Sequence, residues 1–264
     1  MKVKILLLLL ALVLVIPGIT ACGPEPDREV LTQISTIDAI LNGVYDGVIS
    51  IGELTQYGDF GIGTFEALDG EMVVLDGEVY QIKADGGVYS VDSKTMTPFA
   101  SVTFFDTDSQ IPLYGENGNI TYSQCQELIN QALPTENIFY AIKITGVFSY
   151  MKVRSVPAQQ KPYPPLVEVT KNQPVFEYTE IAGTIVGFYC PSYVDGVNVP
   201  GYHLHFLSAG EMFGGHVLDF IVKTGDVFID FTSAFTMILP GPNSDFYKLD
   251  LTPDLSGELE EAEE

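Results

Sequence analysis

The stretch Asn198-Val-Pro-Gly-Tyr-His-Leu-His-Phe206, followed by Gly214-Gly-His-Val-Leu218, contains every histidine of the 264-residue chain. His203 and His205 are separated by one residue, so on a β-strand both side chains point to the same face of the sheet. The glycine-containing segment after them turns the chain, and His216 begins the next strand. This pattern predicts neighbouring strands that carry three imidazoles on one face.

Three neutral imidazoles that leave a fourth coordination position open are the ligand set of a catalytic zinc site. A lone histidine on a strand is more often part of a packed core, but these three fall within fourteen positions. The spacing therefore predicts a metal site. Imidazole also binds iron, copper and nickel, so zinc is the first choice among several metals.

Short apolar runs separated by turn residues surround these histidines. Met72–Leu75, Glu78–Ile82 and Val88–Val91 are divided by Asp-Gly and Asp-Gly-Gly, which are typical of hairpin turns. In the second half we expect six short strands, at residues 176–178, 183–190, 202–207, 216–222, 226–231 and 236–239. Strands at this spacing indicate a small closed barrel or a sandwich. Helices are expected at 37–41 after the capping pair Ser35-Thr36 and at 123–133 after a Ser cap.

The N-terminus has the features of an export signal. A basic start, Met1-Lys-Val-Lys4, precedes the apolar run Ile5–Ile16, which is too short to span a bilayer comfortably. Ile19-Thr-Ala-Cys22 resembles a lipobox, in which cleavage leaves a lipidated Cys22. We therefore expect a lipoprotein-type signal peptide at 1–21 and a polar tether at 22–33. The alternative is an ordinary signal peptide cleaved near Ala21, and export is expected in both cases.

The charge balance limits the partners. There are 35 acidic and 12 basic residues, for a formal net charge of -23, and such a surface repels nucleic-acid phosphates. The acidic C-terminal segment accounts for part of this charge. Arginine occurs only at Arg28 and Arg154. Cys125 and Cys190 remain after Cys22, and the sequence leaves open whether they form a disulfide or are two buried thiols.

Four stretches in order resemble the acetolactate decarboxylase family. Besides the two histidine stretches, they are Gly58-Asp-Phe-Gly-Ile-Gly-Thr-Phe-Glu-Ala-Leu-Asp-Gly-Glu71 and Arg154-Ser-Val-Pro157 with the following Lys161-Pro-Tyr-Pro-Pro-Leu166. The likeness runs from about Ile34 to Pro240. It implies a homodimer of α+β chains. Each chain would have a mixed β-sheet domain with short helices at 34–155 and a six-stranded β-barrel domain at 156–241, which would carry the metal site. An acidic tail at 242–264 would close over the site.

The resemblance also implies the reaction and its residues. The family converts 2-acetolactate to acetoin and carbon dioxide, in acetoin and butanediol metabolism. Its zinc histidines match His203, His205 and His216, and its active-site threonine, glutamate and arginine match Thr64, Glu71 and Arg154. A glutamate from the family's tail also reaches the metal. Here counting favours Glu263, with Glu258, Glu260 and Glu261 as alternatives.

The chemistry of acetolactate suits such a site. Its ketone and hydroxyl oxygens can chelate one metal ion, which stabilises the enediolate that forms as the carboxylate leaves. Arg154 would hold the carboxylate, Glu71 would deliver the proton that makes acetoin, and Thr64 would position an oxygen. No organic cofactor is required. Two alternatives remain open, namely a three-histidine hydrolase or dioxygenase and an exported lipoprotein that captures zinc.

Overall fold

The computed structural model describes residues 28–114 and 119–263. The predicted signal peptide at 1–21 and the lipobox cysteine Cys22 lie outside the described residues. No helix within the described part of the chain has the length and apolar character needed to cross a bilayer.

Short strands and helices alternate in the first half of the chain. They are β1 (Val30–Ile34), α1 (Ile37–Leu41), β2 (Ile49–Ser50), α2 (Ile51–Leu54), β3 (Phe60–Thr64), β4 (Glu71–Leu75), β5 (Glu78–Ile82), β6 (Val88–Ser90), β7 (Met96–Thr97), β8 (Ala100–Thr103), β9 (Ser109–Leu113), β10 (Ile120–Thr121) and α3 (Tyr122–Ala132). Thr36 caps α1 as expected. The cap of α3 is Thr121 in a capping box with Gln124, and the prediction of a Ser cap was wrong.

Long strands dominate the second half. The elements are β11 (Phe139–Arg154), α4 (Leu166–Thr170), β12 (Val175–Cys190), β13 (Gly201–Ser208), β14 (Gly214–Thr232), β15 (Ala234–Ile238) and α5 (Ser256–Glu263). The chain is thus a mixed α+β protein, mostly sheet with few helices, which confirms the predicted class.

The strands form two main sheets. One has seven strands in the order β15-β1-β8-β3-β4-β5-β6, and the other has six, with the path β10-β14-β11-β12-β13 and β9 beside β14. Because β13 also pairs with β14, the four strands β11 to β14 form a closed ring of pairings. One apolar cluster lies within the six-stranded sheet and beside α3, and another lies between the two sheets.

The sheets do not divide at the boundary expected between residues 155 and 156. The strands β9, β10 and β11 precede that boundary but belong to the six-stranded sheet, whereas β15 follows it and pairs in parallel with β1. The C-terminal half alone therefore does not contain a six-stranded barrel. Long-range pairing decides which sheet a strand joins, and local apolar patterns do not encode that choice.

The strands predicted separately at 176–178 and 183–190, and at 216–222 and 226–231, are continuous in β12 and β14, and a row of three glycines crosses them. Gly183, Gly146 and Gly225 lie side by side across β12, β11 and β14. A Cβ atom on Gly225 would lie 2.5 Å from the carbonyl oxygen of Thr145, so the absence of a side chain permits close backbone approach. The glycines therefore mark a row of tight packing within continuous strands, and they do not mark turns.

The two cysteines of the folded part are free, buried thiols. Cys125 packs in the cluster beside α3, and Cys190 packs in the cluster between the sheets. The first of the two open alternatives, a disulfide, is therefore excluded in this structure.

Candidate metal centre and active site

The two strands β13 and β14 bring the three histidines together. His205 lies directly opposite His216 in the antiparallel pairing, and His203 lies on the same face of β13. The ring centroids are 5.1 to 5.3 Å apart, and one nitrogen of each ring lies within 4.8 Å of the others. All three side chains are buried. The geometry is that of a group that could hold a metal ion.

Hydrogen bonding directs one nitrogen of His205 toward this cluster. Its Nδ1 lies 2.8 Å from the carbonyl oxygen of Met72 on β4, so Nδ1–H donates to that oxygen and Nε2 keeps a free lone pair. Nε2 is buried and has no hydrogen-bond partner among the described residues. A buried acceptor without a partner is unfavourable, and a metal ion bound at Nε2 would satisfy it.

Burial keeps the imidazoles neutral. Loss of solvation, with the nearby positive charge of Arg154, lowers the pKa of His203 to about 3. Burial lowers the pKa values of His205 and His216 well below their ordinary value as well. Neutral imidazole is the form that binds a metal, so the residues present fit one.

Arg154 ends β11 and pairs in register with His216. Gly215, at φ +144°, lies against the Arg154 carbonyl so closely that a Cβ would clash with it. The guanidinium is 4% exposed, Nη1 donates to Gln173 Oε1 at 2.9 Å, and Nη2 lies 3.8 Å from Glu263 Oε1. Nε has no partner among the described residues. A buried Arg154 N–H group is therefore available to an anionic ligand.

The seven-stranded sheet contributes Thr64 and Glu71, which face each other across β3 and β4. Glu71 Oε2 lies 3.5 Å from His205 Nε2. Burial raises the pKa of Glu71 to about 7, against the opposing effect of Arg154. The Thr64 hydroxyl donates to the Gly70 carbonyl at 2.7 Å, which leaves its oxygen free to accept a hydrogen bond.

The C-terminal helix α5 delivers the fourth predicted side chain. Glu263 Oε2 lies 3.5 Å from His216 Nε2 and 4.0 Å from His203 Nε2. Leu259 and Ala262 bury the inner face of α5 against the apolar cluster around α1 and α4. The three alternative glutamates, Glu258, Glu260 and Glu261, are exposed. Among the four glutamates that the sequence left as candidates, the structure therefore places Glu263 beside the three histidines.

A cavity of about 50 Å³ lies between these groups. Its polar lining consists of the predicted site residues together with Thr170, and apolar side chains such as Phe99 and Leu166 complete its wall. Space of this size holds only a few water molecules. Sequence reasoning missed Gln173, which holds Arg154, and the Met72 carbonyl, which orients His205. Neither belongs to a motif, because each acts through a contact that only the fold creates.

The fold and the cavity define a class of protein, namely an α+β protein with a buried group of three histidines that could hold a metal ion, flanked by an arginine and two carboxyl groups. The family model for alpha-acetolactate decarboxylase matches residues 31–253. The chain therefore belongs to the alpha-acetolactate decarboxylase family and is a carboxy-lyase.

Individual relatives agree with this assignment. An alpha-acetolactate decarboxylase from Methanosarcina mazei is 50% identical over 235 residues, which cover 89% of this chain and 80% of the relative. One from Methylococcus capsulatus is 49% identical, over 90% of this chain and 89% of the relative. The crystal structure of the enzyme from Bacillus subtilis strain 168 superimposes with a TM-score of 0.85 at 41% identity, covering 89% of this chain and 99% of that chain.

Proposed function

We propose that this chain decarboxylates 2-acetolactate to acetoin with a zinc ion held by His203, His205 and His216, through an enediolate that a carboxyl group of the protein protonates. The single observation that carries the proposal is the meeting of three neutral imidazoles, an unpartnered arginine N–H and a buried carboxyl group around one cavity. The family assignment supplies the substrate.

Zinc suits the donor set. Three buried histidine nitrogens with one open side are typical of catalytic zinc sites, and the Met72 carbonyl fixes the His205 ring in the orientation that a ligand needs. When bound there, the ion would polarise the ketone and hydroxyl oxygens of the substrate and stabilise the negative charge that develops on carbon dioxide loss.

Arg154 binds the substrate carboxylate. Its guanidinium is positioned by Gln173 on one side and by the pairing of β11 with β14 on the other. Because the planar fork is pre-organised, little side-chain freedom is lost when the carboxylate binds. The group orients the bond that breaks, so that its electron pair can move into the adjacent ketone.

Glu71 supplies the proton that completes acetoin. Its position beside the histidine cluster and its burial favour the protonated carboxyl group over the carboxylate. A single donor on one side of the planar enediolate delivers the proton to one face of the carbon. Thr64, opposite Glu71 on β3, accepts a hydrogen bond from the substrate hydroxyl. Glu263 closes the cavity from the tail side and excludes water.

The test combines metal analysis with an acetoin assay. The purified full chain should contain one zinc per chain, and with racemic acetolactate it should form acetoin well above the spontaneous rate. Zinc removal with a chelator should abolish acetoin formation, and added Zn²⁺ should restore it. Activity that persists at full rate without any metal would overturn the zinc proposal, while the family assignment would stand.

Assays on the same purified protein distinguish the decarboxylase from the two alternative functions, a three-histidine hydrolase or dioxygenase and a zinc-capturing lipoprotein. A hydrolase or dioxygenase would act on esters or consume oxygen, and a zinc-capturing lipoprotein would exchange zinc quickly without turnover. The enclosure of the histidines beneath α5 and the buried Arg154 favour a catalytic site over a capture site.

We further propose export with a lipid anchor on Cys22, on the basis of the N-terminal signal and the lipobox-like sequence. A Cys22→Ser variant should shift from the membrane fraction to the soluble fraction, and unchanged membrane attachment would contradict lipidation.

We also propose a homodimer, which the resemblance implies. Sedimentation of the full chain at twice the monomer mass is the expected result.

A further inference from the structure

Arg154 has an unusual partner for a buried arginine. Its side chain is 4% exposed, and its Nη1 donates to the uncharged side-chain oxygen of Gln173 at 2.9 Å. The carboxylate of Glu263 lies 3.8 Å from Nη2, which is too long for a direct hydrogen bond. A buried arginine is ordinarily paired with a carboxylate that accepts its hydrogen bonds. The amide in that place is therefore the feature that needs a physical reason.

Backbone hydrogen bonds hold Gln173 in place from both sides. The residue is half-buried in the turn that follows α4, and its N–H donates to the Thr170 carbonyl at 3.2 Å. The carbonyl of the next residue, Pro174, accepts a hydrogen bond from the N–H of Ser155 at 3.2 Å. Because Ser155 directly follows Arg154, these bonds tie the turn to the end of β11. The amide oxygen is therefore fixed beside the guanidinium before any ligand arrives.

The charges around the cavity show what an amide achieves that a carboxylate would not. Of the described residues that line the cavity, Arg154 alone carries a fixed positive charge, since the three histidines are neutral. Glu71 and Glu263 also line it, and the whole chain has a formal net charge of -23. An anionic substrate therefore meets one attractive charge of the protein in repulsive surroundings. A carboxylate in place of the Gln173 amide would cancel most of that attraction.

We propose that Gln173 is a positioning residue that makes the site selective for a carboxylate: its uncharged acceptor fixes the guanidinium of Arg154 and leaves the positive charge uncompensated for the substrate. The inference rests on the proposed function, in which Arg154 binds the substrate carboxylate. The buried Nε of Arg154 has no partner among the described residues, so an N–H group remains for that carboxylate. A ligand with the same hydroxyl and ketone oxygens but no negative charge gains nothing from this arrangement.

The test compares an anionic ligand with a neutral one on the purified full chain with its histidine centre loaded. 2-Hydroxy-2-methylpropanoate carries a hydroxyl and a carboxylate but no ketone, so it cannot form the enediolate. Acetoin carries a hydroxyl and a ketone but no charge. Calorimetry at constant pH and ionic strength gives both dissociation constants. For Gln173→Glu, which adds a negative charge with little change of shape, we expect the Kd of the anion to rise about 10-fold or more and that of acetoin to stay within about threefold.

Two further variants separate charge from position. Gln160→Glu adds the same charge at an exposed site and should leave both dissociation constants unchanged. Gln173→Met removes the acceptor without adding charge. It should lower kcat for acetoin formation about 10-fold, because the guanidinium loses its orientation, while the ratio of the two dissociation constants stays within about threefold of the parent ratio.

Equal weakening of both ligands in Gln173→Glu would indicate general damage to the site and would overturn the proposal, as would an unchanged affinity for the anion. If thermal unfolding shows that Gln173→Glu does not fold, Gln173→Met decides, since a kcat within about twofold of the parent would exclude a positioning role. Absence of acetoin formation by the parent protein would concern the proposed function alone, because both dissociation constants are measured without turnover.

Discussion

Both ends of β14 lie near buried polar atoms without partners among the described residues, but only at the first end do the residues that carry them line the cavity at the histidines. Near its first residue, His216 faces His205 and Arg154. Each of the latter two has a buried atom with no partner among the described residues, and both residues line one cavity together with His216 and Glu71. Near its last residue, Asp230 Oδ1 and Thr232 Oγ1 are also buried and have no hydrogen-bond partner within residues 28–114 and 119–263, but neither residue lines that cavity. An unpartnered buried atom therefore indicates a ligand only where several such atoms converge on open space. Elsewhere the same defect is a cost in stability.

The comparison predicts that changes at the first end remove activity and that changes at the second end alter stability alone. His205→Ala should have the largest effect, because it removes a ligand from the centre of the cluster. We expect loss of bound metal and a fall in kcat/KM of about 10³-fold or more. Metal content per chain and acetoin formation measure the two losses, and retention of one metal per chain would contradict the ligand assignment.

Arg154→Ala should separate metal binding from turnover. The metal should stay bound, since Arg154 is not a ligand, while kcat/KM should fall by about 10²- to 10³-fold because a buried charge that meets the reacting carboxylate is lost. Arg154→Lys is the matched control and should recover only part of the rate, because an ammonium group lacks the planar fork. A rate within threefold of the parent for Arg154→Ala would exclude a role in carboxylate binding.

Removal of the tail carboxylate should have a smaller effect. Glu263→Gln keeps the shape of the side chain, and we expect a fall in kcat of about 10-fold, with truncation before Glu258 giving a similar or larger loss. Glu260→Gln, on the exposed face of the same helix, should keep the parent rate. Equal rates for all of these proteins would mean that the closed tail does not contribute to catalysis.

A change at Asp230, near the last residue of β14, should alter how the stability of the protein depends on pH and should leave catalysis unchanged. Burial, with the carboxylates of Glu29 and Asp108, raises the pKa of Asp230 from 3.8 to about 7. The folded protein therefore holds a proton there that the unfolded chain releases, so this contribution to stability is complete below pH 3.8 and is lost as the pH rises toward 7. Asp230→Asn should remove that dependence.

At pH 8 the Asp230→Asn variant should be more stable than the parent, on the order of 1–2 kcal/mol, which corresponds to a rise in Tm of about 2–6 °C. Thermal unfolding from pH 4 to pH 8 measures it, and acetoin formation should remain at the parent rate. A parallel pH profile for the parent and the variant would show that Asp230 is ionised in the folded protein.

The sequence predicts those parts of the molecule in which the contacting residues lie close together in the chain. The histidine hairpin is local, because β13 and β14 are adjacent in the chain and the alternation of residues fixes which face carries the rings. The helix α1 and the hairpins at Asp76-Gly77 and Asp85-Gly86 were equally local, and the structure contains them. Motif likeness, and not spacing, located Arg154, Glu71 and Thr64.

The remainder depends on contacts between distant segments. Gln173 holds Arg154 from a loop with no motif, and β15 joins the sheet of β1 after a chain separation that no local pattern encodes. The docking of α5 rests on two buried side chains, Leu259 and Ala262, within a segment whose composition looks like solvent-exposed acid. The row of glycines at 146, 183 and 225 resembles turns in the sequence and packs as strand.

The hairpin of β13 and β14 has a further consequence for the order of assembly. Its three imidazoles lie within a short span of chain, so closing the loop between them costs little entropy. Arg154 and Glu71 come from strands that must pair over long separations, which is slower. The hairpin that brings the three imidazoles together can therefore form before Arg154 and Glu71 arrive. If the proposed metal binds there, we expect the metal content of a preparation to report the formed hairpin and turnover to report the completed enzyme molecules.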